Sequence, residues 1–130
     1  MKKTILYLVL LCITSEAVAQ HYYKDIQAIQ AAGQKHSINR KHKVKSVKFL
    51  SFDADNNPIE GFSSEQLFSK DFSEVTTNTS TSLTGNTLSI SWFNNQDILV
   101  MTLDTSDGVK TITSYEYNQH NQLTGITNTT

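Results

Sequence analysis

Hydrophobic and polar positions change their period along the chain, and each change marks a segment. Ile5 to Ile13 form an unbroken apolar run behind Lys2 and Lys3, and Ala17-Val18-Ala19 precede Gln20. A cationic start, an apolar middle and small residues at −3 and −1 are the order of a cleavable secretory signal peptide, here residues 1–19. The apolar run falls well short of the ~20 residues that span a bilayer as a helix. Cys12 lies inside it behind Leu10 and Leu11, where a lipoprotein signal needs a small residue. The expectation is therefore export without a transmembrane or lipid anchor, ending in the periplasm or outside a bacterial cell.

After the leader the period becomes helical. Tyr22, Tyr23, Ile26 and Ile29 share one face, Ala28, Ala31 and Ala32 favour helix, and Gly33 supplies a stop, which predicts a helix over about 22–33. Gln34 to Lys43 is polar and basic and reads as a linker. From Val44 the period is two: Lys45, Val47, Phe49 and Ser51 alternate with Val44, Lys48, Leu50 and Phe52, as in a strand. Asp53 to Pro58 is turn chemistry, with a return strand expected from Ile59 to Phe62. Ser63 to Phe68 has the polar start of a capped helical turn. Val75 to Gly85 is a Thr/Ser/Asn-rich stretch that fits a strand or a loop. Residues 87–93, 98–104, 109–117 and 123–127 are four strand-like runs separated by short Asn-, Asp- and Gly-containing turns.

Short turns between consecutive strands predict an antiparallel meander. The fold class is α+β: an N-terminal helix packed on one face of a meander of five to seven strands, within 44–127, because a sheet must bury one face on something. A small, partly closed all-β barrel is the alternative. The 111 residues from 20 to 130 suit one domain that buries roughly two-thirds of its unfolded surface. With Cys12 removed the domain holds no cysteine, so neither a disulfide nor a thiolate site is available to it.

Charge is divided unevenly. Residues 20–52 carry seven Lys/Arg against Asp25, a net of +6, whereas 53–130 carry two lysines against ten acids, a net of −8. Lys35, Arg40, Lys41, Lys43, Lys45 and Lys48 form a candidate polyanion-binding segment, since clustered cations neutralise repeated negative charge. A solvated face that balances the acidic remainder explains the same residues. Trp92, Tyr115 and Tyr117 form a candidate aromatic surface for a glycan or peptide, with core packing and cross-strand pairing as the alternative.

Other constellations favour structure over chemistry. Asp53, Asp55 and Asn57 have calcium-loop spacing, but Pro58 and Ser64 stand where glycine and glutamate are needed, so a hairpin turn is expected. His21, His36, His42 and His120 lack metal-ligand spacing and read as surface residues. No serine has a nucleophile context. Neither a metal site, a cofactor nor a nucleic-acid motif is indicated, and an enzyme is less expected than a binding protein.

Phe52 to Phe62 can be laid on Tyr117 to Ile126: an aromatic strand end, an Asx turn and a return strand in each. Tyr115-Glu116-Tyr117-Asn118-Gln119-His120-Asn121-Gln122-Leu123-Thr124-Gly125-Ile126-Thr127 is the better match of the two and resembles the YD repeats of Rhs-type secreted bacterial proteins, whose unit reads roughly Y-D-x-x-G-N-x-[LI]. Asn118 stands in the Asp place and Asn121-Gln122 where Gly-Asn would be. The resemblance implies hairpin geometry and an exported setting, and names no catalytic residue. Together these readings predict an exported, non-enzymatic binding or interaction module acting through a sheet face, a sheet edge or residues 35–48, with an envelope protein or an anionic glycan or lipid as partner. A polyanion or glycan binder and a small secreted hydrolase are the alternatives, and the oligomeric state stays open.

Overall fold

The structure is a computed structural model that describes residues 23–106 and 108–130. The expected leader, Cys12, His21 and the first residue of the expected helix lie outside the described residues. Residues 23–41 are helical (α1), followed by β1 (Ser46–Phe49), β2 (Ser63–Phe68), β3 (Glu74–Thr81), β4 (Gly85–Phe93), β5 (Leu99–Ser106), β6 (Val109–Tyr117) and β7 (Leu123–Thr129). The strands lie side by side in chain order, each antiparallel to the next. The sheet stays open, with β1 and β7 as its edges, so the chain is α+β and the barrel alternative does not occur. The described residues divide into one unit ending at Ala32 and another beginning at Gly33. In the first, the Gln27 amide donates to the Tyr23 hydroxyl one turn away, at 3.0 Å.

Three local expectations are corrected. Helix α1 does not stop at Gly33, and residues 34–41 of the expected linker are helical. Gly33 serves close approach instead: a Cβ there would stand 2.8 Å from the backbone oxygen of Asp97. The helix ends eight residues later, where Val44 N donates to Asn39 O at 2.9 Å and Lys43 N to Arg40 O at 3.1 Å. These are the two bonds of a Schellman cap, with Lys43 in the left-handed position at φ 54°. Ser63 to Phe68 is strand β2, because Ser64 and Gln66 find hydrogen-bonding partners in Thr79 and Thr77 of β3. The same pairs settle Val75 to Thr81 as strand, and residues 82–84 are the turn into β4. Ile59 to Phe62 is not a return strand; pairing near the turn is confined to the Phe52–Pro58 bridge and the Ile59 N to Ser51 O bond.

Register assigns each side chain to one of two faces. The front face carries Val75, Phe93 and Leu99, the buried hydrophobic residues among those described, each contributing about 1.5–3 kcal/mol by burial. The back face carries Leu88, Ile90, Trp92, Met101 and Leu103. The core is thus a front-face cluster at the end of the sheet where β4 stops and β5 starts.

Turns at that end and beyond β1 repeat one design. Asp53, Asn94 and Asn118 each accept two backbone amides on Oδ1, from residues two and four further on, at 2.8–3.1 Å. In each, the first residue's N–H donates to the fifth residue's carbonyl, and the fourth residue (Asn56, Asp97, Asn121) has φ between 59° and 66°. Asx residues suit both tasks, since they bond nearby amides and tolerate positive φ. Each follows an aromatic residue, Phe52, Phe93 or Tyr117, so the two-copy repeat read from the sequence has a third copy at Phe93 to Ile98.

Candidate functional site

Where α1 ends and β2 turns into β3, the chain encloses a cleft of about 560 Å³ lined by Arg40, Lys43, Val44, Lys45, Phe68, Ser69, Lys70 and Phe72. Val44, Phe68 and Phe72 give it apolar walls, and four cations surround them. The helix cap sets the first wall: the left-handed turn at Lys43 reverses the chain so that Arg40 and Lys43 precede, and Lys45 follows, the apolar Val44. The β2–β3 turn sets the second. Ser69 N donates to Glu74 O and Phe72 N to Ser69 O, both at 3.0 Å, leaving Phe72 at φ 59°. A bulky aromatic in that region is strained and persists only when its surroundings hold it.

His36 does the holding. It is 2% exposed, a correction to its expected surface position, and its ring stacks on Phe93 at 3.9 Å between centroids with a 9° interplanar angle. Nε2 lies 2.8 Å from Phe72 O and Nδ1 lies 2.9 Å from Asp97 Oδ1. A carbonyl only accepts, so Nε2 is the donor to Phe72 O. The Phe72 ring meets His36 edge-on at 6.4 Å and tilts against Phe68 at 6.0 Å. One buried imidazole therefore ties residues 33–41 of the helix to two turns and fixes an aromatic wall of the cleft.

Arg40 Nη1 reaches Asp97 Oδ1 at 3.2 Å and Asn95 O at 3.4 Å, which spends part of its charge on the β4–β5 turn. Lys43, Lys45 and Lys70 make no ion pair or side-chain hydrogen bond among the described residues. Asp71, beside Lys70, accepts from Ser69 Oγ, Ser73 N and Ser73 Oγ at 2.8–3.2 Å. Those bonds, that from Ser69 foremost, hold its carboxyl below the usual range. The cleft therefore sets three cations without an ion pair, Lys43, Lys45 and Lys70, over an apolar lining, with the Asp71 carboxylate next to Lys70 in sequence.

The structure gathers only part of the basic segment here. Arg40, Lys43 and Lys45 line the cleft, while Lys41 is exposed on the helix and lies outside it. Lys35 sits 5.2 Å from the Phe49 ring centre, a cation–π contact. Lys48 belongs to the back face, opposite Glu65. Lys70 was missed because it stands alone in the acidic two-thirds of the chain. The signal that reaches it is the run Phe68-Ser69-Lys70-Asp71-Phe72, a longer variant of the aromatic–Asx turn.

The three aromatic candidates do not form one surface, a correction that follows from register. Tyr115 and Tyr117 share the front face, and Trp92 occupies the back. The Tyr117 hydroxyl donates to Leu99 O at 2.6 Å, and Trp92 Nε1 donates to Glu74 Oε2 at 3.1 Å. Asp53 is consumed by its own turn; hydrogen bonds, that from the Asn57 amide first, lower its pKa. His42 and His120 are exposed. Among the described residues no group of three His, Cys, Asp or Glu side chains is placed to hold a metal ion, and no helix is long and apolar enough to cross a membrane. In comparisons with known proteins the chain matches no family model, no characterised sequence and no solved structure.

Proposed function

We propose that this chain is an exported, non-enzymatic binding module whose ligand is an anionic amphiphile, such as a lipid of the bacterial envelope, taken up in the basic cleft. The observation that carries the reading is the convergence of Lys43, Lys45 and Lys70, with Arg40, around walls of Val44, Phe68 and Phe72. Cations on an apolar lining favour a molecule that has both a charge and an apolar body, and the volume is in the range of small-ligand pockets. An extended polyanion is less well served, because Lys35 and Lys48 are directed elsewhere. In this reading residues 33–41 of the helix pack on one face of the sheet, and His36 keeps the cleft open by fixing Phe72. The leader-like residues 1–19 and the YD-like turns fit an exported bacterial protein.

The test is calorimetric titration of residues 20–130, which hold every described element, with decyl phosphate, decanol, inorganic phosphate and a heparin oligosaccharide. Binding of decyl phosphate alone, weakened by salt and at least tenfold by Lys43→Gln with Lys70→Gln, supports the reading. Equal or stronger binding of heparin, or no binding of decyl phosphate, overturns it.

A further inference from the structure

The back face of the sheet carries an apolar row, and among the described residues of 33–130 no second layer lies on it. Cross-strand pairing sets Leu67, Thr76, Ile90, Leu103 and Ile112 in one row across β2 to β6. The neighbouring row toward the cleft end holds Glu74, Trp92, Met101 and Ser114, and the row on the other side holds Glu65, Asn78, Leu88, Thr105 and Lys110. Leu67 and Ile112 are 43% and 38% exposed. One apolar row across five strands, continued by Trp92 and Met101 on one side and Leu88 on the other, is what a sheet presents to a partner layer.

We infer that this layer is a second copy of the same chain, packed back face to back face about a two-fold axis that runs parallel to the strands beneath β4. The argument lies in the register. Strands β2 and β6 are each two places from β4, so such an axis sets β2 of one copy over β6 of the other and keeps every row at its own height. Leu67 then faces Ile112 of the second copy, Thr76 faces Leu103, and Ile90 and Trp92 each face their own equivalents. Glu65 and Lys110, on β2 and β6 of one row, meet twice with opposite charge, while Lys48, beside Glu65 on β1, lies outside these five strands. A two-fold axis across the strands inverts the rows instead: Glu65 then faces the Ser69 region and Lys110 faces Ser114, with no charge pairing. The first axis alone matches both the apolar positions and the charges.

Glu74, the other acid in these rows, presents little free charge. Its Oε1 accepts from Thr76 Oγ1 at 3.2 Å and its Oε2 from Trp92 at 3.1 Å. With strands about 4.8 Å apart and same-face residues about 6.8 Å apart, five strands by three rows give a footprint of roughly 500 Å² per copy. That is below the roughly 800 Å² per partner of a standard stable interface, so the dimer is concentration-dependent.

Sedimentation equilibrium of residues 20–130 over a hundredfold concentration range is the test. A reversible doubling of mass is expected. Glu65→Lys alone and Lys110→Glu alone should each weaken association at least fivefold, and the double exchange should restore it, with circular dichroism confirming that all three fold. Leu67→Glu, at an exposed position, should abolish it. A monomer at every concentration overturns the inference. So does a dimer unaffected by the single exchanges and by Leu67→Glu, which would place the contact at a sheet edge.

Discussion

His36 and Asp97, sixty-one positions apart, meet through a 2.9 Å contact between Nδ1 and Oδ1, with the imidazole almost wholly buried. The same carboxylate oxygen accepts from Arg40 at 3.2 Å, and the other ring nitrogen holds Phe72 O. His36→Ala removes the stack on Phe93 and the donor to Phe72 O, and leaves Asp97 Oδ1 with Arg40 alone. A loss of about 2–4 kcal/mol in urea denaturation is expected. Because Phe72 lines the cleft, decyl phosphate binding should fall as well. A double-mutant cycle with Asp97→Asn should give a coupling of about 1 kcal/mol or more. Additive effects would dissociate the two residues.

Gly33→Ala should behave unlike most glycine replacements in helices. Alanine improves intrinsic helix propensity by about 1 kcal/mol. At this position its Cβ would stand 2.8 Å from the Asp97 backbone oxygen, which the β4–β5 turn holds through Asn94. Backbone would have to move, at a typical cost of about 1–3 kcal/mol. The net expectation is a lower midpoint in thermal or urea unfolding; a raised midpoint would show that the turn yields.

What the sequence made legible was the regular part of the fold. Alternation located the last four strands to within two residues at each boundary because their side chains are packed on two distinct faces. The helix was read short for a physical reason: beyond Gly33 its buried residue is a histidine, and Ile38 is 58% exposed, so hydrophobic periodicity falls silent while the helix continues. Ser63 to Phe68 misled because a capping pattern and a polar strand facing Thr77 and Thr79 use the same residues. The cleft was half visible. Arg40, Lys43 and Lys45 are clustered in sequence, whereas Lys70, Phe68 and Phe72 arrive only through the pairing of β1 with β2. The side of the sheet taken by Trp92 depended on register alone.

Tyr117 gives the alkaline side of the stability profile a specific origin. Its hydroxyl donates to Leu99 O at 2.6 Å, and its pKa is raised above 10, first by burial and then by neighbouring Tyr115. The folded state therefore holds this proton more tightly than the unfolded chain does. The stabilisation is complete below pH 10 and is lost as pH rises through the raised native value. Tyrosinate absorbance should show one late-titrating tyrosine in the folded protein. Tyr117→Phe should remove that component, lower stability at neutral pH by about 1 kcal/mol and flatten the alkaline decline.

Lys43 separates stability from binding. It occupies the left-handed C′ position of the helix at φ 54°, where a side chain costs about 1 kcal/mol relative to glycine, and it also lines the cleft. If its charge is kept for a ligand, Lys43→Gly should raise stability by about 0.5–1 kcal/mol in urea unfolding and lower affinity for decyl phosphate at least threefold. Lys43→Asn, which tolerates the same backbone, should show the binding loss with a smaller gain in stability. A variant more stable than the parent and equally able to bind would reduce Lys43 to a helix cap whose charge serves only the last turn's carbonyls. The cleft would then rest on Arg40, Lys45 and Lys70.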